Sequence, residues 1–235
     1  MSEFLLELYS EEIPPQLQIN ARIQLKEQFE KSFKEEGIQY KDCSEYSSPT
    51  RLTIYIKGIS ENVRTKSKEV RGPKTGVPEN IIQSFIKSHN VSEKDLFKKQ
   101  TEKGEFFFVK TLEKNILVED LLPNILPKVL SEISWKKSMK WSTNNLMWGR
   151  PLRSIFAIFN SKKLPFKFEH LESTDNIIIE QNLIIKSQKT KSFKEYFSFL
   201  KNNKIFIDQQ ERQCSEDLPK VQRQELRPKC CLLRR

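Results

Sequence analysis

The chain has 235 residues, a formal net charge of +10 and a pI near 9.3, with 37% hydrophobic and 31% charged residues. This length supports one large or two small domains, and sixteen phenylalanines argue against disorder. No run approaches the roughly 20 apolar residues of a membrane span, and MSEFLLELYSEE lacks the basic region of a secretion signal. We therefore expect a cytoplasmic protein without a membrane partner. The charge favours an acidic partner, nucleic acid first, although AT-rich genomes also encode lysine-rich chains.

The first 37 residues predict a strand followed by a helix. The apolar run from Phe4 to Leu8 is typical of an interior strand. The prolines that follow suit a first helical turn, where a missing N–H has no intrahelical partner. Apolar residues then recur at every fourth position up to Gly37, a natural helix end, and they are Leu17, Ala21, Leu25, Phe29 and Phe33.

The next segment predicts a strand and then a loop. Leu52, Ile54 and Ile56 alternate with more polar residues, the period of a strand with one buried face, and Arg51 lies at its start. Residues 60–79 are basic, contain two prolines and predict a mobile loop, either solvated or in contact with phosphate. A helix from Asn80 and a strand over GEFFFVKTL follow.

The stretch from Trp135 to Asn160 holds all three tryptophans and five cations. Interleaved rings and cations suit a surface that stacks on bases, while bulky aromatics also anchor cores; both interpretations remain open here. Before this stretch, Pro123 and Pro127 predict a kinked helix or two short turns over residues 119–133. Within it, the apolar residues 152–159 predict a strand buried on both faces.

The remaining elements complete an α+β pattern. PFKFEHL and NIIIEQNLIIK predict strands, and SFKEYFSFLKNN predicts an amphipathic helix. The mixed order favours an α+β fold with a mixed or antiparallel sheet over a regular βαβ repeat. After Arg212 the composition changes, with three of the four cysteines in the last residues, and a disordered tail over 213–235 is expected.

Motifs of self-sufficient enzymes are absent from the sequence. It contains no G-x-x-x-x-G-K-[ST], G-x-G-x-x-G or H-E-x-x-H pattern, and its cysteines lack C-x-x-C spacing. Glu11 and Glu12 are neighbours on a turn and do not face each other across a cleft. We therefore assign no catalytic residue and no metal ligand, and the residues favour a binding or assembly module.

Four motifs in order carry a family resemblance. LLELYSEEIPP at residues 5–15, SPTRL at 48–52, VRGP at 70–73, and MKW with WGRPLRSI at 139–155 resemble the N-terminal region of the bacterial glycyl-tRNA synthetase beta subunit. The similarity covers roughly residues 3–212. It implies that residues 1–212 form the N-terminal α+β region of a larger multidomain subunit, with a possible sub-boundary near 113–120, while residues 213–235 lie off the family pattern.

The resemblance also implies a function. It implies the beta subunit of glycine-tRNA ligase in an α2β2 heterotetramer, which supports ATP-dependent attachment of glycine to tRNA(Gly). The adenylation site, with ATP and Mg²⁺, is expected on the alpha subunit; no cofactor is expected on this chain, and this chain alone is expected to be inactive. The candidates for tRNA or subunit contact are the cations in or beside the motifs: Arg51, Arg71, Lys74, Lys136, Lys137, Lys140, Arg150 and Arg153. The candidates for motif structure are Glu11, Glu12, Pro14, Pro15, Trp141 and Trp148.

Two departures and one alternative accompany this interpretation. The family's Gly-His-Arg-Phe motif is missing, and STDNIIIEQNLIIK stands in its place. The change after Arg212 gives the hypothesis that the original reading frame ends there. The alternative function is a non-catalytic RNA-binding or scaffold module, favoured by the charge and the interleaved aromatics.

Overall fold

The computed structural model describes residues 2–64, 69–75, 79–89, 96–101, 104–110, 115–140, 147–181 and 184–216. The chain divides into two compact units: unit 1 comprises residues 1–61 and 117–235, and unit 2 comprises residues 62–116. Both contain helices and sheets, so the α+β prediction is confirmed. Among the described residues, no helix is long and apolar enough to cross a membrane.

Unit 1 begins with a strand, a long helix and a hairpin. These are β1 (Ser2–Ser10), α1 (Pro15–Glu36), β2 (Asp42–Ser48) and β3 (Arg51–Ile59). The predicted helix is confirmed: Pro15 opens it, and Gly37 ends it in the left-handed conformation at φ 75°. The buried stripe contains four of the five predicted residues, with Gln18 buried in place of Leu17.

Unit 2 is inserted after β3. It contains β4 (Asn62–Arg64), β5 (Glu69–Lys74), α2 (Glu79–His89), β6 (Leu96–Thr101) and β7 (Gly104–Lys110), and β8 (Asn115–Leu117) lies at its end. Strands β5, β7 and β6 form an antiparallel sheet in that order, and β4 pairs with β8. The prediction of a loop over 60–79 is wrong for residues 62–64 and 69–74, because pairing with β8 and with β7 satisfies the backbone of these polar segments.

Unit 1 resumes with α3 (Val118–Ser131). Short strands β9 (Met139–Lys140) and β10 (Met147–Trp148) precede β11 (Leu152–Phe159), which the apolar run predicted. Then come β12 (Lys162–Lys163), β13 (Lys167–Phe168), β14 (Leu171–Thr174), the hairpin β15 (Asn176–Gln181) and β16 (Ile184–Lys189), α4 (Phe193–Asn202) and α5 (Gln209–Glu216). Helix α5 extends four residues beyond Arg212, and residues 217–235 lie outside the described part of the chain.

A central sheet organises unit 1. Its order is β13-β14-β11-β1-β3-β2, with β12 paired to β11 at the side; β11 and β14 are parallel and the other neighbours antiparallel. Side chains alternate along β1, so Phe4 packs on Phe29 of α1 while Leu5 lies in a cluster with Tyr196 and Leu200 of α4. The sheet is therefore covered on both faces.

This layering explains two differences from the sequence predictions. Strand β3 buries both faces: Thr53 and Tyr55 are buried on one face and Ile54 on the other. The cause is a second layer of the fold, which packs on the face where solvent was expected. Helix α3 is continuous through Pro123 and Pro127, so the prediction of two separate turns is wrong. Burial of its apolar residues, Leu122, Ile125 and Leu126 among them, offsets the roughly 3 kcal/mol that each proline costs.

The two ends of unit 1 that flank the insertion lie next to each other. The N–H of Val118 donates a hydrogen bond to the carbonyl of Glu61 at 2.9 Å. The second junction, between residues 116 and 117, falls within the sub-boundary range of 113–120. The first, between residues 61 and 62, has no counterpart in the sequence analysis.

Candidate functional site

Three of the four motifs meet at one end of the central sheet. We call this region the motif junction and define it as residues 10–15, 48–51 and 148–153. Backbone hydrogen bonds join its segments: the N–H of Ser10 donates to Thr50, that of Glu11 to Pro151, and that of Ile13 to Pro49, at 2.7–2.9 Å. The order of the strands causes this meeting, because β1 pairs with β3 on one side and β11 on the other.

Prolines and a buried amide fix the path of the chain from β1 into α1. Pro14 is the N-cap residue and Pro15 the first residue of α1. The carbonyl of Pro14 accepts hydrogen bonds from the first helical turn, and the side chain of Gln18 donates to the carbonyl of Ile13 at 2.5 Å. Glu12 remains exposed on this turn. The junction is thus rigid backbone with a small number of exposed side chains.

A tryptophan pair packs beneath the third segment. Trp148 is 1% exposed, and its ring lies 5.1 Å from Trp135 and 5.8 Å from Phe168, centroid to centroid. Gly149 allows this contact, because a Cβ there would lie 2.2 Å from the Trp135 ring. Trp148 therefore belongs to the core, and its partner is Trp135; Trp141 lies outside the described residues.

A buried polar cluster joins the first two motifs to α4. Arg51 donates to Glu7 Oε1 at 2.6 Å, Tyr196 donates to Glu7 Oε2 at 2.6 Å, and the hydroxyls of Tyr196 and Thr53 lie 2.8 Å apart. The Arg51 guanidinium also lies 4.5 Å from the centroid of the Tyr9 ring. Arg51 is only 1% exposed and its charge pairs with Glu7 inside the fold, an arrangement that does not favour the predicted contact with RNA or a subunit.

The charges in this cluster depend on one another. Burial disfavours the charge of Arg51, but the adjacent Glu7 carboxylate more than compensates and raises the pKa of the guanidinium. Burial and then the same carboxylate raise the pKa of the Tyr196 hydroxyl well above its ordinary value. Tyr196 therefore stays protonated and acts as a donor to Glu7.

The β15–β16 hairpin lies in the segment where the sequence analysis expected a Gly-His-Arg-Phe motif, and it binds two arginines. The guanidinium of Arg51 donates to the carbonyl of Ile178, and that of Arg153 donates to Glu180. Arg153 also lies 3.5 Å from Glu11. Arg153 is about half exposed and is engaged with carboxylates of its own chain. The exposed half of its side chain is still accessible to a partner.

The other predicted contact residues lie on the surface. Lys136, Lys137 and Lys140 are exposed on the segment between α3 and β10, and Arg150 is partly exposed at the motif junction. In unit 2, Arg71 and Lys74 are exposed on β5. The structure therefore separates the predicted candidates into a buried residue, an engaged residue and exposed cations in both units.

A half-open cleft of about 290 Å³ lies beside the motif junction. Its lining includes Tyr9, Ser48, Arg51, Lys204 and Arg212. The Ser48 hydroxyl and the Arg51 Nε are buried there without a hydrogen-bond partner. For metal binding, no group of three or more His, Cys, Asp or Glu side chains occurs among the described residues.

The sequence analysis missed Glu7, Thr53 and Tyr196 as members of the site. One signal was available for Glu7: an acidic residue in the middle of the apolar strand FLLELY must find a partner when that strand is buried. The sequence does not indicate which residues are the partners of Glu7, because Arg51 and Tyr196 follow it by 44 and 189 residues.

Comparisons with known proteins give first the class and then the family. The relatives found are subunits of a tRNA ligase, and the beta subunit of glycine-tRNA ligase from Rickettsia bellii (strain OSU 85-389) is 35% identical over 215 residues. Those of Rickettsia prowazekii (strain Madrid E) and Rickettsia typhi (strain Wilmington) are each 36% identical over 215 residues. Each alignment covers 91% of this chain and 32% of the relative. The chain thus spans about a third of the length of the curated relatives it matches.

The family model described as glycyl-tRNA synthetase beta subunit matches residues 4–225. The chain belongs to this family. The match includes all four motifs and extends past Arg212, where the composition of the chain changes. The composition changes after Arg212, whereas α5 ends at Glu216 and the family match ends at residue 225. The compositional change therefore marks neither of these two ends.

Proposed function

We propose that this chain acts as part of a glycine-tRNA ligase beta subunit in the cytoplasm. In this role it supports ATP-dependent attachment of glycine to tRNA(Gly) through contacts with tRNA and with an alpha subunit in an α2β2 tetramer. ATP and Mg²⁺ bind at the alpha subunit, where glycine is adenylated. Family membership over residues 4–225 supports the proposal.

The observation that carries the proposal is the meeting of three family motifs at the motif junction. Buried contacts within the fold explain the presence of Arg51 and Trp148 in the motifs. They do not explain Glu12 and Pro49, whose side chains are exposed on a rigid backbone. A rigid surface loses little conformational entropy when it binds. The carboxylate of Glu12 disfavours phosphate, so we assign this exposed rim to the alpha subunit rather than to tRNA.

The exposed lysines suit the other partner. Lys136, Lys137 and Lys140 lie within five residues of one another in the sequence and are exposed. Clustered lysines neutralise phosphates and give binding that weakens steeply with salt. We therefore assign tRNA contacts to these lysines, with Arg150 as a candidate at the boundary between the two surfaces.

Co-expression with the alpha subunit of the same organism tests the proposal. We expect the chain to co-purify with the alpha subunit, and Glu12→Arg to reduce the yield of the complex. Lys34→Ala, at a distant exposed site on α1, is the control. Failure to co-purify under any salt condition would contradict the proposal. Glycine-dependent charging of tRNA by this chain alone would contradict the assignment of adenylation to the alpha subunit.

A free-standing RNA-binding or scaffold module remains the second candidate, because the net charge of +10 favours acidic partners without any second subunit. Salt-dependent binding of unrelated RNAs, unaffected by the alpha subunit, would favour it. Restored glycine-specific charging on addition of the chain to a complex that lacks its N-terminal region would favour the ligase.

A further inference from the structure

The small sheet of unit 2 has one face rich in aromatic rings and cations. Residues directly opposite each other in a sheet share a face. Phe97 pairs with Phe108, Lys99 with Phe106, and Arg71 with Phe108, so these five residues lie on the same face. We call it the aromatic face.

Helix α2 packs against the opposite face at β5. Gly72 follows Arg71 and therefore points away from the aromatic face. A Cβ on Gly72 would lie 2.8 Å from the ring of Phe85, a residue of α2. Phe107 and Lys98 alternate onto this opposite face as well, with the Lys98 Nζ 5.7 Å from the centroid of the Phe107 ring. The sheet thus has a helix on one side and the aromatic face on the other.

The aromatic face is accessible to solvent. Phe97 is 36% exposed, Phe106 and Phe108 are partly exposed, and Arg71 and Lys99 are exposed. The rings of Phe97 and Phe108 are stacked at 6.1 Å with an interplanar angle of 25°. The guanidinium of Arg71 lies 3.6 Å from the centroid of Phe106, and Lys99 Nζ lies 5.7 Å from that of Phe108. Rings and cations are therefore in contact on one surface.

Exposed rings backed by cations match the chemistry of an unpaired nucleic-acid strand. Nucleobases stack on aromatic rings and on guanidinium planes, while nearby cations neutralise the phosphates. A duplex keeps its bases stacked on one another and cannot offer them to a sheet. Lys74, which pairs with Phe106 past a bulge in β5, adds a further cation at the same end of the sheet.

We propose that the aromatic face of unit 2 binds unpaired nucleotides of RNA by stacking bases on Phe97 and on the Arg71–Phe106 pair. The proposal deepens the proposed function, on which it rests, by naming single-stranded segments of tRNA as the part that unit 2 contacts. Lys99 and Lys74 contact the phosphates between the stacked bases.

Fluorescence anisotropy with a labelled single-stranded oligouridylate of about 12 nucleotides tests the proposal directly, since one small binding surface covers roughly 4–16 nucleotides. The full 235-residue chain is titrated without an alpha subunit. We expect Phe97→Ala to weaken binding about tenfold, the loss typical of one stacked base. We expect Arg71→Lys to weaken binding several-fold with an unchanged salt dependence, because the charge stays and the planar group is lost.

Two neighbouring lysines supply a matched control. Lys99→Ala removes a cation from the aromatic face and should lower the slope of log affinity against log salt by about 0.7. Lys98→Ala makes the same chemical change on the same strand but on the opposite face, and we expect affinity within about twofold of the unmodified chain. Equal effects of the two substitutions would overturn the proposal, because they would indicate net charge alone.

Further outcomes separate this proposal from its alternatives. Phe97→Leu keeps apolar bulk without a ring, so it tests stacking even where Phe97→Ala unfolds unit 2; unchanged affinity in Phe97→Leu overturns the proposal. Affinity for a duplex of the same length equal to that for the single strand also overturns the proposal. So does tighter binding of a glutamate-rich peptide than of the single strand. Co-purification with the alpha subunit while Phe97→Leu has no effect would defeat this proposal alone. Sensitivity to Phe97→Leu without co-purification would defeat the proposed function alone.

Discussion

Replacing the buried pair of Glu7 and Arg51 tests how the motif junction is held together. Both side chains are at most 2% exposed, so solvent does not screen their 2.6 Å contact. Arg51→Met leaves the Glu7 carboxylate buried without a counter-ion. Glu7→Leu likewise leaves the Arg51 guanidinium buried without a counter-ion. Each substitution should lower the free energy of unfolding by about 3–5 kcal/mol.

The double variant separates the interaction from the cost of burial. With Glu7→Leu and Arg51→Met together, two apolar side chains of similar volume fill the site, and Tyr196 still contacts Thr53 at 2.8 Å. Replacing a whole buried ion pair is often close to neutral. We therefore expect the double variant to be more stable than either single variant, with a coupling energy of at least about 3 kcal/mol.

Urea unfolding followed by tryptophan fluorescence measures these values. All three tryptophans lie in unit 1, so the signal does not report on unit 2. Urea is preferred to guanidinium chloride, because a salt would screen the charges. The partly exposed pair Lys26 and Glu45, 3.1 Å apart, is the matched control and should give a coupling below about 1 kcal/mol. Single effects at Glu7 and Arg51 that add within about 0.5 kcal/mol would refute the reasoning.

Three further predictions follow from the packing and the charges. Gly149→Ala should destabilise unit 1 by about 1–3 kcal/mol through a clash with Trp135, measured by urea unfolding, and Trp135→Leu should relieve it; a neutral Gly149→Ala would contradict the close contact. Burial raises the pKa of Cys43 to about 12, so the folded chain holds this proton more tightly, and stability should fall by about 1 kcal/mol between about pH 8 and 9.5. This loss should be absent in Cys43→Ala, and an equal slope in both chains would count against it. Arg153→Met, at a half-exposed pair with Glu180, should cost less than about 1 kcal/mol in the same unfolding assay; a cost as large as that of Arg51→Met would show that exposure is the wrong guide.

Elements set by local periodicity were predictable from the sequence. The spacing of four in α1, the stop at Gly37 and the apolar run of β11 each express a single element's own pattern, so the predictions hold. For β3 the alternation gave the strand but not its second buried face. That face depends on α4 and the β15–β16 hairpin, which follow more than 110 residues later.

The roles of charged residues were less predictable, because burial decides them. Arg51 and Arg71 look alike in the sequence, as cations beside family motifs. In the structure the first binds Glu7 inside the fold and the second lies exposed over Phe106. The distinction depends on partners 44 and 35 residues away, and local spacing contains no information about them.

The adjacent ends of unit 1 have a consequence for the history of the chain. Glu61 and Val118 are joined by a hydrogen bond, so removing residues 62–116 would leave a gap that a tight turn could close. Segments whose ends meet in this way can be gained or lost with little disturbance to the host. Unit 2, with its own sheet, helix and surface chemistry, is therefore a segment of the kind that is inserted into a host fold as one piece.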